Sequence, residues 1–248
     1  MNKSLQVTQG FLDWTGTTLP NSSTTPQPRK NPLEIFRRIE LQPGSRIHVV
    51  QDAERGMVWL FDKPSNASDT DSYRCESNGI ISQGKSYESW KERETYDISW
   101  SSKLDDTESS TFGDFVIFQW KSYPEGIQNY PFLFTVHQNQ LRLVHSNRAG
   151  KWIVVWRGSI ESRKWFDVKV RVTLSKNELA GSLELSFNGE PQQFQRNRED
   201  EAEISDILVC RTLDEGRGIY PKWGAYNRHQ HLHAIKHYVD LMRIKRIR

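Results

Sequence analysis

From about Arg46 the chain is a succession of short runs rich in Val, Ile, Phe, Trp and Thr, each bounded by Gly, Asn, Asp or Ser, which is the pattern of β-strands. The runs are "RIHVV", "GMVWLF", "DSYRCES", "ETYDISWS", "DFVIFQWK", "PFLFTVHQ", "QLRLVH", "WIVVWRG", "WFDVKVRVTLS", "GSLELSFNG", "YPKWGAYNR" and "KHYVDLMRI". So many strands with so few helical stretches exclude an α/β fold. Turn signals such as "FNGE" and "NRAGK" between them imply antiparallel neighbours. The expected fold is therefore all-β, a two-sheet sandwich of jelly-roll type rather than a barrel.

Before Arg46 the pattern is weaker. Residues 15–32, "TGTTLPNSSTTPQPRKNP", are rich in Thr, Ser, Pro and Asn, a composition that cannot bury enough apolar surface to order itself. "PLEIFRRIEL" fits either a short amphipathic helix or an extended strand. The expected organisation is an N-terminal extension over residues 1–45 and one β domain over 46–248.

Composition changes this picture little. At 248 residues with 35% hydrophobic and 26% charged residues, the chain has the makeup of a globular domain with a sizeable core. A net charge of +3 is too small to imply nucleic acid, but it suits a polyanionic ligand if the excess gathers in one cleft. No run approaches the ~20 apolar residues of a membrane span. "MNKSLQVTQGFLDW" has no apolar secretory core; a trimmed N-terminus and a cytoplasmic protein are both compatible with it. Cys75 and Cys210 are the only cysteines, so at most one disulfide can form.

One strand carries unusual chemistry. If "IYPKWGAYNR" is extended, then Tyr220, Lys222, Gly224, Tyr226 and Arg228 share a face. Three strands taken in order, "SYRCES" with Arg74 and Glu76, "IFQWK" with Gln119 and Lys121, and "YPKWGAYNR" with Tyr226, resemble a known set. They look like the arginine–glutamate, Gln-x-His and Tyr-x-Lys-x-Gly-x-Tyr strands of jelly-roll polysaccharide lyases, in particular the heparin lyase I-like and glucuronan lyase group, with alginate lyases more distant. "WFDVKVRVTLS" followed by "GSLELSFNGE" resembles a hairpin of that group, and "HYVDLMRI" its closing strand. The likeness runs from about Val58 to Ile244.

The resemblance implies a concanavalin-like sandwich with a concave substrate-binding sheet. It also implies a monomeric, secreted or extracellular enzyme that splits an acidic polysaccharide by β-elimination, with no cofactor needed for the chemistry. A structural calcium ion, to which Asp240 would contribute, is a further implication. In such a reaction the C5 proton next to a uronate carboxylate leaves, and the 4-linked oxygen departs. Arg74 and Gln119 are the candidates to neutralise the carboxylate, with Glu76 orienting the guanidinium. Tyr226 can donate to the leaving oxygen and, if cations such as Lys222 or Arg228 depress its pKa, accept a proton as well. Glu76, His137, Tyr220, Lys222 and Arg228 are the expected substrate-binding residues along the path.

Lys121 departs from the family pattern, which places at this position a histidine commonly read as the base. It is either a base, made so by burial and the nearby Arg74, or a cation that grips the polymer. His137, whose strand turns Phe132, Phe134 and Val136 to the other face, is a reserve base, and His48 has similar surroundings. Trp120 and Trp223 fall opposite Gln119 and Lys222 and belong to the core. Trp152 and Trp156 fit packing, or stacking at a cleft rim. "HQHLHAIKH" brings His229, His231, His233 and His237 close in sequence, but no cysteine or carboxylate cluster accompanies them, so a solvated loop is favoured over zinc. Two rival functions remain open. One is a lectin-like carbohydrate-binding protein that lost the histidine. The other is a glycoside hydrolase, for which Glu76 and Glu184 are the nearest carboxylates and would have to face one another about 5–10 Å apart.

Overall fold

The structure, a computed structural model, describes residues 12–19, 29–65, 74–108, 114–124, 130–147, 149–198, 201–214, 216–227 and 233–248. In chain order its strands are β1 (Asp13–Thr15), β2 (Phe36–Leu41), β3 (Arg46–Asp52), β4 (Gly56–Lys63), β5 (Arg74–Ser82), β6 (Lys85–Ser86), β7 (Thr95–Leu104), β8 (Phe115–Pro124), β9 (Phe132–His137), β10 (Gln140–Ser146), β11 (Trp152–Ser159), β12 (Trp165–Thr173), β13 (Ser182–Phe187), β14 (Glu190–Gln192), β15 (Phe194–Arg198), β16 (Glu201–Ser205), β17 (Leu208–Val209), β18 (Gly216–Tyr226) and β19 (Ile235–Arg246). They form two large antiparallel sheets. The first has the order β14-β13-β12-β7-β19-β4-β3, with β1 beside β19 and β17 beside β13; the second has the order β11-β10-β9-β8-β18-β5-β2, with β6 beside β5. Successive hairpins alternate with crossovers between the sheets, the jelly-roll sandwich expected of so many short strands.

Alternation explains the layers. Along β12, Phe166, Val168, Val170 and Val172 are buried while Asp167 and Lys169 are exposed, so one face packs and the other meets water. Between the sheets lies an aromatic layer in which Trp100 of the first sheet stacks on Phe118 of the second at 4.7 Å, and Trp223 and Phe134 meet Trp100 edge-on. Trp120 joins it and donates its indole N–H to the Thr212 carbonyl. Such rings remove large apolar areas from water and supply much of the driving force for closing the sandwich.

The ambiguous "PLEIFRRIEL" resolves into both a turn and a strand. Asn31 caps a 3-10 turn over Pro32–Glu34 by accepting from the Leu33 N–H, after which Ile35 and Phe36 enter the core. Phe36–Leu41 then forms the edge of the second sheet, antiparallel to β5, and Asp13–Thr15 pairs with β19. Both segments precede residue 46, where the sequence pattern places the domain start, and both lie within the sheets. Cys75 and Cys210 are buried and not joined to each other by a disulfide.

Candidate active site

The outer face of the second sheet is built by register. Lys222 lies opposite Gln119, Tyr220 opposite Lys121, and Tyr226 opposite both Val116 of β8 and Arg74 of β5. Glu76 is flanked by Gly224 on one side and Glu40 on the other. Directly opposed residues point to the same side of a sheet, so four neighbouring strands gather Glu40, Arg74, Glu76, Gln119, Lys121, Lys222 and Tyr226 on one face. Phe118, Trp120 and Trp223, the alternate residues, go into the core. Gly224 makes this close approach possible. Its φ is +152°, and a Cβ there would lie 2.2 Å from the Cys75 carbonyl oxygen and 2.7 Å from the Glu76 Cα, so only glycine fits beside β5.

The charges beneath this face are paired. Lys222, with a side chain 1% exposed, donates to Glu40 Oε2 at 2.9 Å and Glu76 Oε2 at 2.8 Å. Glu76, itself 2% exposed, accepts from Gln119 Nε2 at 2.5 Å. Glu40 also accepts from Arg74 Nη1 at 3.0 Å, Asn78 Nδ2 at 2.6 Å and Arg38 Nη2 at 2.7 Å. Burial opposes ionisation of Glu40, but the Lys222 charge and the bonds from Lys222, Asn78 and Arg74 outweigh it and hold its pKa down to about 2. Burial also works against the Lys222 cation, and Glu76 and Glu40 together raise its pKa despite it. The Arg74 guanidinium stacks over the Tyr226 ring, 4.8 Å from its centroid, and its buried Nε has no hydrogen-bond partner among the described residues.

Lys121 differs from Lys222. Burial first, then the positive charges of Lys222 and Arg74, lower its pKa to about 8, with Glu76 and Glu40 pulling the other way. Its ammonium lies 5.5 Å from the centre of the Tyr130 ring. Around this face Arg37, Arg38, Arg74, Lys121 and Lys222 stand against Glu40 and Glu76. The arrangement therefore has surplus positive charge where a polyanion would lie.

Several expectations need correction. Lys222 is spent beneath the surface on two carboxylates and is not presented to a ligand. Glu76 lies 4.0 Å from Arg74, and the carboxylate that grips the guanidinium directly is Glu40; Glu76 chiefly bridges Gln119 and Lys222. Tyr220 is 7% exposed, beneath the Arg37 guanidinium at 4.2 Å, so it packs the floor and does not line an open path. His137 points to the outer face but lies four residues along β9 from Leu133, the residue opposite Gln119. There its Nδ1 is 2.9 Å from Asp114 Oδ1, off the direction of a hydrogen bond. His48 lies on β3, in the other sheet. Glu184 is also in the other sheet, beside Arg171, so it cannot face Glu76 across a scissile bond. Arg228, His229 and His231 lie outside the described residues. His237 is buried in β19, hydrogen-bonded to Ser102 and to the Gly224 carbonyl, and burial lowers its pKa to about 4. Asp240 lies on β19 next to a bulge, with its carboxyl pKa raised by burial; among the described residues no three His, Cys, Asp or Glu side chains gather to hold a metal.

Glu40, Asn78 and Tyr130 are the site residues that sequence reasoning missed. Glu40 was hidden because "FRRIEL" reads equally well as helix or strand. Once it is placed as the edge strand beside "RCESNG", the opposition of Glu40 to Glu76 follows.

The outer face of one sheet of this two-sheet jelly roll thus carries an arginine, a glutamine, a lysine and a tyrosine over a buried ion network. The polysaccharide lyase family model matches residues 48–243, and the chain belongs to that family, whose members are enzymes acting on polysaccharides. Among solved structures it is similar to the endo-β-1,4-glucuronan lyase of the fungus Trichoderma reesei, with 12% identity, a TM-score of 0.62, and 85% of this chain and 90% of that one covered. It is also similar to the alginate lyase of Corynebacterium sp., with 15% identity, a TM-score of 0.56 and 94% of each chain covered. A third likeness is to alginate lyase AlgAT5 of polysaccharide lyase family 7, with 14% identity, a TM-score of 0.55, and 83% and 84% covered. No curated protein sequence matches the chain.

Proposed function

We propose that the protein cleaves a uronate-containing polysaccharide by β-elimination on the outer face of the second sheet. The observation that carries this reading is the half-buried Lys121, with its pKa lowered to about 8, on the same face as Arg74, Gln119 and Tyr226. Arg74, and Gln119 through the second N–H of an amide already oriented by Glu76, bind the uronate carboxylate and stabilise the charge that develops on it as C5 loses its proton. Lys121, neutral in a useful fraction near pH 8, takes the C5 proton. The C5–H electrons form the C4–C5 double bond, the C4–O bond breaks, and the Tyr226 hydroxyl protonates the departing oxygen. The substrates named for the similar lyases, glucuronan and alginate, are both polyuronates and support this substrate class.

Hydrolysis is disfavoured, because Glu40 is held ionised and Glu76 is buried beneath the face, and among the described residues neither is a carboxylic acid poised beside the bond. The test is ultraviolet absorbance during incubation with a panel of uronate polymers, since elimination creates a conjugated double bond and hydrolysis or mere binding does not. Tyr226→Phe, which keeps the ring under Arg74, should bind polymer but lose ~10²–10⁴-fold in turnover. A near-full rate in that variant removes Tyr226 from the mechanism.

A further inference from the structure

The second sheet carries an exposed tryptophan on its site-bearing face. Trp152, near the start of edge strand β11, is 47% exposed. It lies opposite Ser146, two residues from the Val154–Val144 pair, and Val144 in turn lies opposite Leu133. Val144, Leu133 and Val116 form a small apolar cluster separate from the core, against which Val154, Tyr130 and Tyr226 also pack. An apolar floor thus runs from Tyr226 across β8, β9 and β10 to β11, and Trp152 stands at its far end.

Lone exposed apolar side chains are ordinary, but this one is held. Its indole N–H donates to the Tyr130 hydroxyl at 3.1 Å, and the two rings meet edge to face at 5.1 Å and 85°. The other side of the connection is Lys121, over the same Tyr130 ring. A bulge between Leu143 and Val144 of β10 and their β11 partners sets Trp152 apart from Trp156. In a regular strand residues 152, 154 and 156 would share a face. The extra residue sends Trp156 into the core, where it is 5% exposed and bonded to Gln192, while Trp152 stays outside.

We infer that Trp152, braced by Tyr130, is a sugar-binding subsite that stacks the C–H face of a pyranose unit of the same polyuronate chain, beyond the unit that reacts. It lies three strands from β8, with the Tyr130 ring between it and Lys121, so it engages a sugar beyond the scissile bond along the continuous floor. A rigid aromatic face with its polar atom already satisfied binds at low ordering cost. The inference rests on the proposed function for its ligand.

Kinetics on long polymer and on short oligosaccharides of the uronate that the wild type cleaves test it. Trp152→Ala should raise KM for long polymer roughly tenfold, a loss of about 1.4 kcal/mol, while kcat stays within about twofold, because a remote subsite binds ground and transition states alike. Trp152→Phe should restore most of the affinity, and the Ala effect should shrink on oligosaccharides too short to span the floor. An unaltered KM on long polymer, or a loss confined to kcat, would overturn the subsite. If the wild type yields no unsaturated product from any uronate polymer, the lyase reading fails by itself, and titration with the same polymers then decides. Binding weakened by Ala and kept by Phe sustains the subsite, and equal or absent binding in all three proteins removes it.

Discussion

Lys121 offers the sharpest perturbation, because the same side chain predicts opposite behaviour as base and as binder. Burial and the neighbouring Lys222 and Arg74 charges bring its pKa to about 8. At pH 7 about a tenth of the molecules then carry the free amine, against about one in three thousand for a lysine at its ordinary value. As a base it gives a rate that climbs about tenfold per pH unit below pH 8 and levels off above it. Initial rates of unsaturated product between about pH 6 and 10, at limiting and at saturating polymer, read this limb directly. Lys121→His, which restores the histidine of the related lyases, should move the limb down toward about pH 6.5. Lys121→Ala should cost ~10²–10⁴ in turnover at any polymer concentration. Stability follows the same group. The folded pKa lies below the unfolded one, so the unfolded chain holds the extra proton between about pH 8 and 10.5. The Lys121 contribution is therefore complete above that window and is lost as pH falls through about 8. A flat profile across pH 6–9, together with a Lys121→Ala variant whose kcat is intact and whose KM rises in a salt-sensitive way, would refute the base and leave a polymer-gripping cation.

Three other perturbations probe the scaffold of the site. Glu40→Gln removes the carboxylate shared by Lys222, Arg74, Asn78 and Arg38 while leaving Lys222 its bond to Glu76; thermal or denaturant unfolding should show a loss of about 1–3 kcal/mol, the order of a charge-assisted hydrogen bond, and an undiminished midpoint would show that Glu76 alone suffices. Acid titration of the wild type should show the same group from the other side. Glu40 has its pKa lowered to about 2, so its contribution is whole above about pH 4.5 and drains away as pH falls toward 2, whereas Glu40→Gln should lack that component. Gly224→Ala forces a Cβ against the Cys75 carbonyl, and soluble yield, unfolding midpoint and turnover should all fall; a variant with wild-type stability would mean that β18 and β5 can separate there without harm.

The alternation of apolar and polar residues was enough to place the long strands and the sandwich, because each of those strands has one face in the core. Trp120 and Trp223 are core residues for that reason, and Arg74, Gln119, Lys121 and Tyr226 share the outer face as period two requires. Depth and partners were not legible. Lys222 reads as a solvent-facing cation, and yet it is buried, because Glu40 arrives from an edge strand 182 residues away in sequence, and nothing local in "YPKWG" announces it. Trp152 and Trp156 read alike until a bulge on β11 separates them, since a one-residue irregularity reverses every following side chain while leaving the hydrophobic pattern plausible. The short strands β6, β14 and β17, of two or three residues, are too brief for any periodicity to show.

The buried network itself argues for a positioned site. Glu76 and Lys222, buried below the sheet surface with the partly exposed Glu40 against them, contribute less stability than apolar side chains of the same volume would, because desolvation consumes most of the Coulomb gain. What such a network does supply is direction. Lys222 fixes both carboxylates, Glu76 then fixes the Gln119 amide, and Glu40 fixes one edge of the Arg74 guanidinium, so the donors above it are held without relying on a mobile loop. A binding protein could use flexible, solvated cations to hold a polyanion. Donors locked from beneath, beside a lysine whose proton is loosened by burial and by the Lys222 and Arg74 cations, fit the need to stabilise a charge that appears only in the transition state, where reorganising the donors would raise the barrier.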